Sequence, residues 1–398
     1  MTGNLLIRNV RPMGSAAADI LIRNGRIARI EPGLSADGVA TEDGGGRIVI
    51  PGLIEAHTHL DKSLLGMDWY RNEVGPLLID KIDNERQAKI DLGIEPHRQS
   101  MRQALVSAAY GSTHIRSHVD IDTVHGVAGV EGIMRTREAL RDVIDIELVA
   151  FPQSGLLARP GTLELMEKAL EMGVEIVGGL DPSGIDRDPK GHLDIVFALA
   201  ERFGRPVDIH LHETAELGAF SIELIVERTR ALGMQGHVTV SHAFCLGMTD
   251  KAYVDRLIEA LARHRIHIVT TGPASRPAPE IARLRAAGII VGSGNDGFRD
   301  TWAPYGNGDM LERAVFLGLR NNFRRDDEVE VALDVCTHGG AALMAIDGYG
   351  LAPGCAGDLV LLEGRSLTEA VVTHAPRPLV VKRGTVVARA GKTLVEMP

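Results

Sequence analysis

Apolar and polar positions change rhythm along this chain. Up to about residue 50 the apolar runs are short and turn-punctuated: Asn4 to Val10, Ala18 to Ile22 and Arg26 to Ile30, separated by Gly and Asn. Such runs read as strands. The segments Asp358 to Glu363 and Leu379 to Val395 read the same way. "IRNGRIARI" and "VKRGTVVARAG" predict two hairpins of one small β domain, built jointly from the two chain ends.

Between these ends, apolar strands alternate with helical stretches. The strand before His57 comes first. It is followed by Ser112 to Val119, Ile146 to Pro152, Glu175 to Leu180, Val207 to His212, Val238 to His242, Ile266 to Thr271 and Ile289 to Gly292. Most begin about 25–35 residues apart, the repeat of a strand–helix unit. Eight such units over about 250 residues predict a (β/α)₈ barrel. The fold class expected is therefore α/β: a TIM-type barrel over 51–350, with a small β-sandwich domain from 1–50 and 351–398. Ser221 to Leu232, stopped by Gly233, predicts one of the intervening helices. Lys62 to Gly93, with Trp69 and Tyr70, is longer than a βα connection needs and predicts a loop or lid over the strand ends.

That architecture gives meaning to the ligand-type residues. His57 and His59 stand two apart, so both imidazoles project from one face of a strand end. His210 lies near the end of the fifth barrel strand, His242 ends the sixth, and Asp296 follows the eighth. A barrel gathers its C-terminal strand ends at one mouth, where barrel enzymes hold their chemistry. Imidazoles and a carboxylate converging there suit one divalent ion, Zn²⁺ or Fe²⁺, with an open position for water. Such an ion lowers the pKa of water from about 15.7 toward about 7. Glu213, three residues past His210, can reach the mouth as a proton carrier; capping or solvating the following helix is its plainer role.

Composition narrows the partners. The 398 residues carry 43 basic and 53 acidic side chains, a net charge of −10, with no basic run. Nucleic acid and anionic membrane are poor main partners for such a surface. The N-terminus lacks a signal-peptide pattern, and no apolar run is long enough to span a bilayer. Cys245, Cys336 and Cys355 are odd in number and far apart, which fits a reducing cytoplasm better than a disulfide framework.

Nearly the whole chain resembles the amidohydrolase superfamily. The resemblance rests on "PGLIEAHTHLDK", "THIRSHVD", "VAFPQSG", "DIHLHE", "VSH" and "GSGND" followed by "WAPYGNGDM". "FPQ" and the H-x-x-E of His210 and Glu213 are most similar to the branch holding cytosine deaminase and N-isopropylammelide isopropyl amidohydrolase. The resemblance implies that His57, His59, His210 and Asp296 bind one metal ion. It also implies that Glu213 shuttles a proton, that His242 hydrogen-bonds the attacking water, and that Gln153 reads an amide edge of a heterocyclic substrate. Catalytic roles thus fall to Glu213, His242 and Asp296. The fourth barrel strand, Glu175 to Asp181, has no lysine. Two-metal relatives use a carboxylated lysine there, so a mononuclear site is expected. Gly297 stands where cytosine deaminases carry a second Asp.

The expected activity is metal-dependent deamination of a cyclic amidine of cytosine type, with release of ammonia. The alternative is removal of an N-alkylamine from a triazine-like ring. A non-catalytic protein on the same fold is the third reading, opposed by the full ligand set. Barrel enzymes of this branch often self-associate, so a homo-oligomer is compatible.

Other signals carry less. Gly292-x-Gly294-x-x-Gly297 matches the dinucleotide fingerprint, but no helix is expected at Gly297. The zinc nucleobase-deaminase signature is absent. His114 and His118 share a strand face and either line the site or pack within it. His212 shares the strand parity of His210, which points it inward, but it falls past its strand and is read as structural. Trp302 and Phe298 could stack on a flat ring or pack within their loop. Cys245 is read as a buried small hydrophobe.

Overall fold

The computed structural model describes residues 3–397. Its first four strands are β1 (Leu5–Pro12), β2 (Ala18–Arg23), β3 (Arg26–Glu31) and β4 (Ala40–Pro51). The barrel strands follow as β5 (Leu53–Thr58), β6 (Ser112–Asp120), β7 (Asp145–Phe151), β8 (Ile176–Leu180), β9 (Val207–His210), β10 (Val238–Ser241), β11 (His267–Val269) and β12 (Val291–Gly292). The chain closes with β13 (Leu359–Leu362), β14 (Leu379–Lys382), β15 (Thr385–Arg389) and β16 (Lys392–Thr393).

Both terminal segments enter one eight-stranded sheet, ordered β16-β15-β14-β13-β4-β1-β2-β3. Its β1–β4 pair is parallel and β4–β13 antiparallel, so N- and C-terminal strands meet in the middle. The two predicted hairpins form, and for the same reason. Asn24 and Gly25 have φ of 50° and 76°, and Arg383 and Gly384 have 46° and 72°. Two successive positive φ values make the turn whose twist matches a tight antiparallel pair. Apolar side chains are buried on both faces: Ile7, Ile20 and Ile22 in one cluster, Leu6, Leu21 and Leu34 in another.

β5 to β12 form the second sheet, eight strands in sequence order, every adjacent pair parallel. It closes on itself through Ala56 N–H to Ser293 O at 3.0 Å and Asp296 N–H to His57 O at 2.9 Å. That closure puts the first and last candidate ligands side by side. The strands are buried on both faces, as a parallel sheet covered by helices requires. The helix expected from Ser221 to Leu232 is longer, Ala215–Ala231, with Gly233 beyond its end at φ 66°.

Lys382 fastens the terminal sheet to the bottom of the barrel. Fully buried, its ammonium donates to Thr113 O at 3.0 Å, Asp145 Oδ2 at 2.9 Å and Asp358 Oδ2 at 2.8 Å. The insertion after His59 is more than a loop. It holds a helix, Leu78–Asp91, whose buried face carries Ile82, Glu85, Ala88 and Lys89. Two charges on a buried face demand partners, and they find them at the barrel mouth. Among the described residues, no helix is long and apolar enough to cross a membrane.

Candidate active site

His57 is the penultimate residue of β5, His59 lies just past it, and His210 ends β9. His242 and Asp296 follow β10 and β12 in the left-handed region, at φ 69° and 65°. Non-glycine residues hold that conformation at a cost of about 1–3 kcal/mol, and it is enriched where side chains must be aimed. The donor atoms of His57, His59, His210 and Asp296 all lie within 4.8 Å of one another. Asp296 Oδ1 is 3.3 Å from His59 Nε2 and 3.7 Å from His57 Nε2, and its Oδ2 is 4.0 Å from His242 Nε2. The predicted ligands thus converge, as does His242.

Hydrogen bonding shows what the cluster lacks. His57 Nε2 and both ring nitrogens of His210 and His242 are buried without any protein partner. Orphaned buried nitrogens aimed at one carboxylate fit a cation. Charge agrees. Burial pushes the imidazoles of His57, His210 and His242 below their ordinary range, leaving them neutral and able to ligate. Against burial, His242 and then His57 and His59 hold the Asp296 carboxyl well below its usual range. His59 differs. Burial and Lys62 lower it, but Asp120 and Asp296 outweigh them and raise it to about 9. Loading a cation there displaces a proton.

A second layer orients the first. Ser241 Oγ donates to Asp208 Oδ1 at 2.6 Å and stands 3.1 Å from His57 Nδ1. Asp208 is fully buried and also accepts from Arg116 at 3.0 Å. His118 packs beneath, its ring 4.2 Å from that of His57 and 4.5 Å from that of His210. Phe151 stacks on His210 at 4.0 Å with the planes 22° apart, fixing that ring. His114 is elsewhere: it pairs with Asp145 at 3.2 Å, near Lys382 at the other end of the strands.

Glu213 is tightly held. Its Oε1 accepts from the backbone of Ser183 and Gly184, both at 2.7 Å, and its Oε2 from Ser221 Oγ at 2.5 Å. Burial raises its carboxyl although these donors oppose the shift. Oε2 has a single donor, so one lone pair remains for a proton. His212, read from its position as structural, belongs to this wall. Its ring lies 4.3 Å from that of His242, and its Nδ1 is 2.7 Å from Asp181 Oδ2. Strand parity had put His212 on the inward side; what sequence could not show is that Asp181, at the end of β8, reaches across to it.

Gln153 is buried beyond β7, its Oε1 3.5 Å from Lys62 Nζ. Trp302 packs on Ile82, Phe151 and Leu180, linking the inserted helix to the mouth, and Lys62 Nζ lies 5.6 Å from its ring centre. Phe298 is fully buried in its loop. Sequence reading missed an ionic cluster beside His59. Lys62 meets Asp120 at 3.1 Å and Glu85 at 3.2 Å, and Lys89 meets Asp120 at 2.5 Å. Lys62 lay in plain view within "HLDK"; its partners come from a distant strand and from the insertion.

The chain as a whole also resembles known proteins. It is similar to the solved N-isopropylammelide isopropylaminohydrolase of Burkholderia multivorans ATCC 17616, at 50% identity and a TM-score of 0.96, covering 99% of this chain and 100% of that one. It is 32% identical to the N-isopropylammelide isopropyl amidohydrolase of Pseudomonas sp. (strain ADP) over 394 residues, 97% of each chain. It is also similar to the 5-methylcytosine deaminase of Klebsiella pneumoniae solved with 5-fluorocytosine, at 27% identity and a TM-score of 0.86 over 99% of both chains. Residues 40–388 match the model of the amidohydrolase family. With a parallel eight-stranded barrel and a His/His/His/Asp cluster at its mouth, the chain is a member of the amidohydrolase family.

Proposed function

We propose that this protein hydrolyses the bond between a planar nitrogen heterocycle and an exocyclic amine, releasing an alkylamine from a ring of the N-isopropylammelide kind. The observation that carries this choice is the similarity to the Burkholderia multivorans isopropylaminohydrolase, 50% identical over 99% of this chain. It reverses the order reached from sequence, where ammonia release from a cytosine-type ring came first. Ammonia release stays as the second reading, favoured by the likeness to the Klebsiella pneumoniae deaminase and by Glu213.

His57, His59, His210 and Asp296 would hold one divalent cation, Zn²⁺ or Fe²⁺. When bound, it supplies acidification of a water from about 15.7 toward about 7. The protein's own groups do the rest. Gln153 offers an amide to the ring edge. Glu213, its proton favoured by burial, protonates a ring nitrogen and makes the adjacent carbon electrophilic. His242 hydrogen-bonds the attacking water, and Asp296 accepts its proton. The carbon–oxygen bond forms, the emptied Glu213 takes the hydroxyl proton of the adduct as the ring carbonyl forms, the departing nitrogen takes the proton held by Asp296, and the carbon–nitrogen bond breaks, leaving Glu213 protonated again.

The test is to incubate metal-loaded protein with N-isopropylammelide, cytosine, 5-methylcytosine and a pterin, and to assay isopropylamine and ammonia separately. Isopropylamine release supports the reading. Ammonia alone, from the cytosines, moves the assignment to the second. Full metal content with no release from any ring defeats both. Glu213→Gln should keep its metal and lose about 10²–10⁴-fold in kcat, the usual contribution of a proton carrier.

A further inference from the structure

Gly297 raises a question that its backbone does not answer. It is not among the residues of positive φ, so the turn after β12 does not require glycine there. Space does. A Cβ on residue 297 would come well inside 3.0 Å of Asp300 Oδ2, closer than such atoms approach. The Asp300 carboxylate fills the place of the missing side chain, next to the ligand Asp296. Both Asp296 and Gly297 are only half-buried, so this stretch faces the opening of the mouth.

Asp300 has an ordinary task, and it uses one oxygen. Oδ1 accepts from Trp302 N–H at 2.8 Å and Ala303 N–H at 3.0 Å, which holds the loop. Oδ2 receives no hydrogen bond and joins no ion pair among the described residues. The whole residue is 5% exposed. Lys62 is the cation that faces it, but that ammonium is taken up by Asp120 and Glu85. Oδ2 is not sealed from solvent, so this unpaired carboxylate oxygen is free to accept an N–H from outside the protein.

We propose that Asp300 is a substrate-binding residue, its Oδ2 accepting a ring N–H of the heterocycle, and that glycine at 297 exists to leave room for it. This rests on the ring-hydrolase reading above. The substrate class it selects is a lactam-type ring, with an N–H donor beside the carbon that loses the amine. A ring with only acceptors on that edge meets a carboxylate and is disfavoured.

The experiment is a cycle of Asp300→Ala, Gly297→Ala and the double variant. Metal per chain, kcat and KM are measured for amine release from the best ring of the panel. Asp300→Ala should keep its metal and lose on the order of 10–100-fold in kcat/KM, the worth of one hydrogen bond to a charged group. Gly297→Ala should cause a similar loss, because the new methyl expels Oδ2. In the Asp300→Ala background it should add less than about twofold, the sign of a shared cause. Asp300→Asn keeps the Oδ1 acceptor that holds the loop, so it should fold normally and show the same loss. Unchanged kcat/KM in Asp300→Asn or Asp300→Ala overturns the assignment, as do losses that multiply in the double variant. A metal-loaded wild type that releases nothing from any ring overturns the ring-hydrolase reading and this assignment together. An active wild type indifferent to Asp300 overturns the assignment alone.

Discussion

Ser241 should govern metal affinity without touching the metal. Its hydroxyl has one proton, and the 2.6 Å contact to Asp208, which can only accept, uses it. The oxygen can then only accept from His57, 3.1 Å away, so the proton of that imidazole is on Nδ1. Nε2 is left with its lone pair toward Asp296, in a residue with no solvent exposure. Ser241→Ala strands the Nδ1 proton in a dry site. An unsatisfied buried donor costs about 1–3 kcal/mol, roughly 5–150-fold in an equilibrium constant. The imidazole can avoid that cost only by moving its proton to Nε2, which blocks ligation. Loss of outer-layer partners in metal sites typically costs about 10–100-fold in affinity, in the same range. The assay is Zn²⁺ affinity by competition with a chromophoric chelator, with thermal unfolding run alongside. Ser241→Ala should bind about 10–100-fold more weakly with its unfolding midpoint little changed, and Ser241→Thr, which keeps a hydroxyl, should recover most of the affinity. A Ser241→Ala protein within twofold of wild type would refute the tautomer argument.

Two further predictions concern the buried charges and thiols. Burial pushes the Glu85 carboxyl up to about 7 against the pull of Lys62. The folded chain therefore keeps a proton that the unfolded chain has released, and stability falls as pH rises from about 4.5 to about 7. Comparing urea unfolding of wild type and Glu85→Gln across that window should show the variant's dependence flatter by on the order of 1–3 kcal/mol; parallel curves would sink the idea. Burial also pushes the Cys245 thiol up to about 12 and raises that of Cys336, whereas Cys355 is half-buried. A thiol reagent at pH 8 should label Cys355 first and spare Cys245 until the protein unfolds; prompt labelling of Cys245 would contradict the packing around it.

How much of this was legible in the chain depended on where each signal was stored. The barrel strands were visible because a parallel sheet under helices is buried on both faces and reads as continuous apolar runs. His57, His59, His210, His242 and Asp296 were visible because each lies at the end of such a run, and one fold rule brings strand ends together. His212 shows the limit of strand parity: its inward direction could be read, but its partner Asp181 ends a neighbouring strand, and that pairing exists only in three dimensions. The helix Leu78–Asp91 was hidden for a different reason. Its buried face is half ionic, with Glu85 and Lys89 beside Ile82 and Ala88, so apolar periodicity underreports it. Asp300 was hidden because the informative residue was Gly297, whose meaning is the volume it leaves empty.

The ionic cluster explains why that insertion is tied to the site. Asp120 ends β6 and stands between two systems: its Oδ1 is 3.6 Å from His59 Nδ1, and its carboxylate also receives Lys62 and Lys89. Three cationic or protonatable groups around one buried carboxylate hold the Asp120 carboxyl well below its usual range, Lys62 most strongly, although burial opposes this. The charge that steadies His59 is therefore itself steadied by the inserted helix through Lys89, and by the residue three past His59 through Lys62. Separating a buried pair of this kind costs about 3–5 kcal/mol, because one charge is left without a partner. Lifting the helix away would break the contacts of both Lys89 and Glu85 at once, and it would uncover Trp302 and Phe151. The insertion thus packs as a wall of the site, and the orientation of the candidate ligand His59 and the closure of the mouth depend on the same carboxylate.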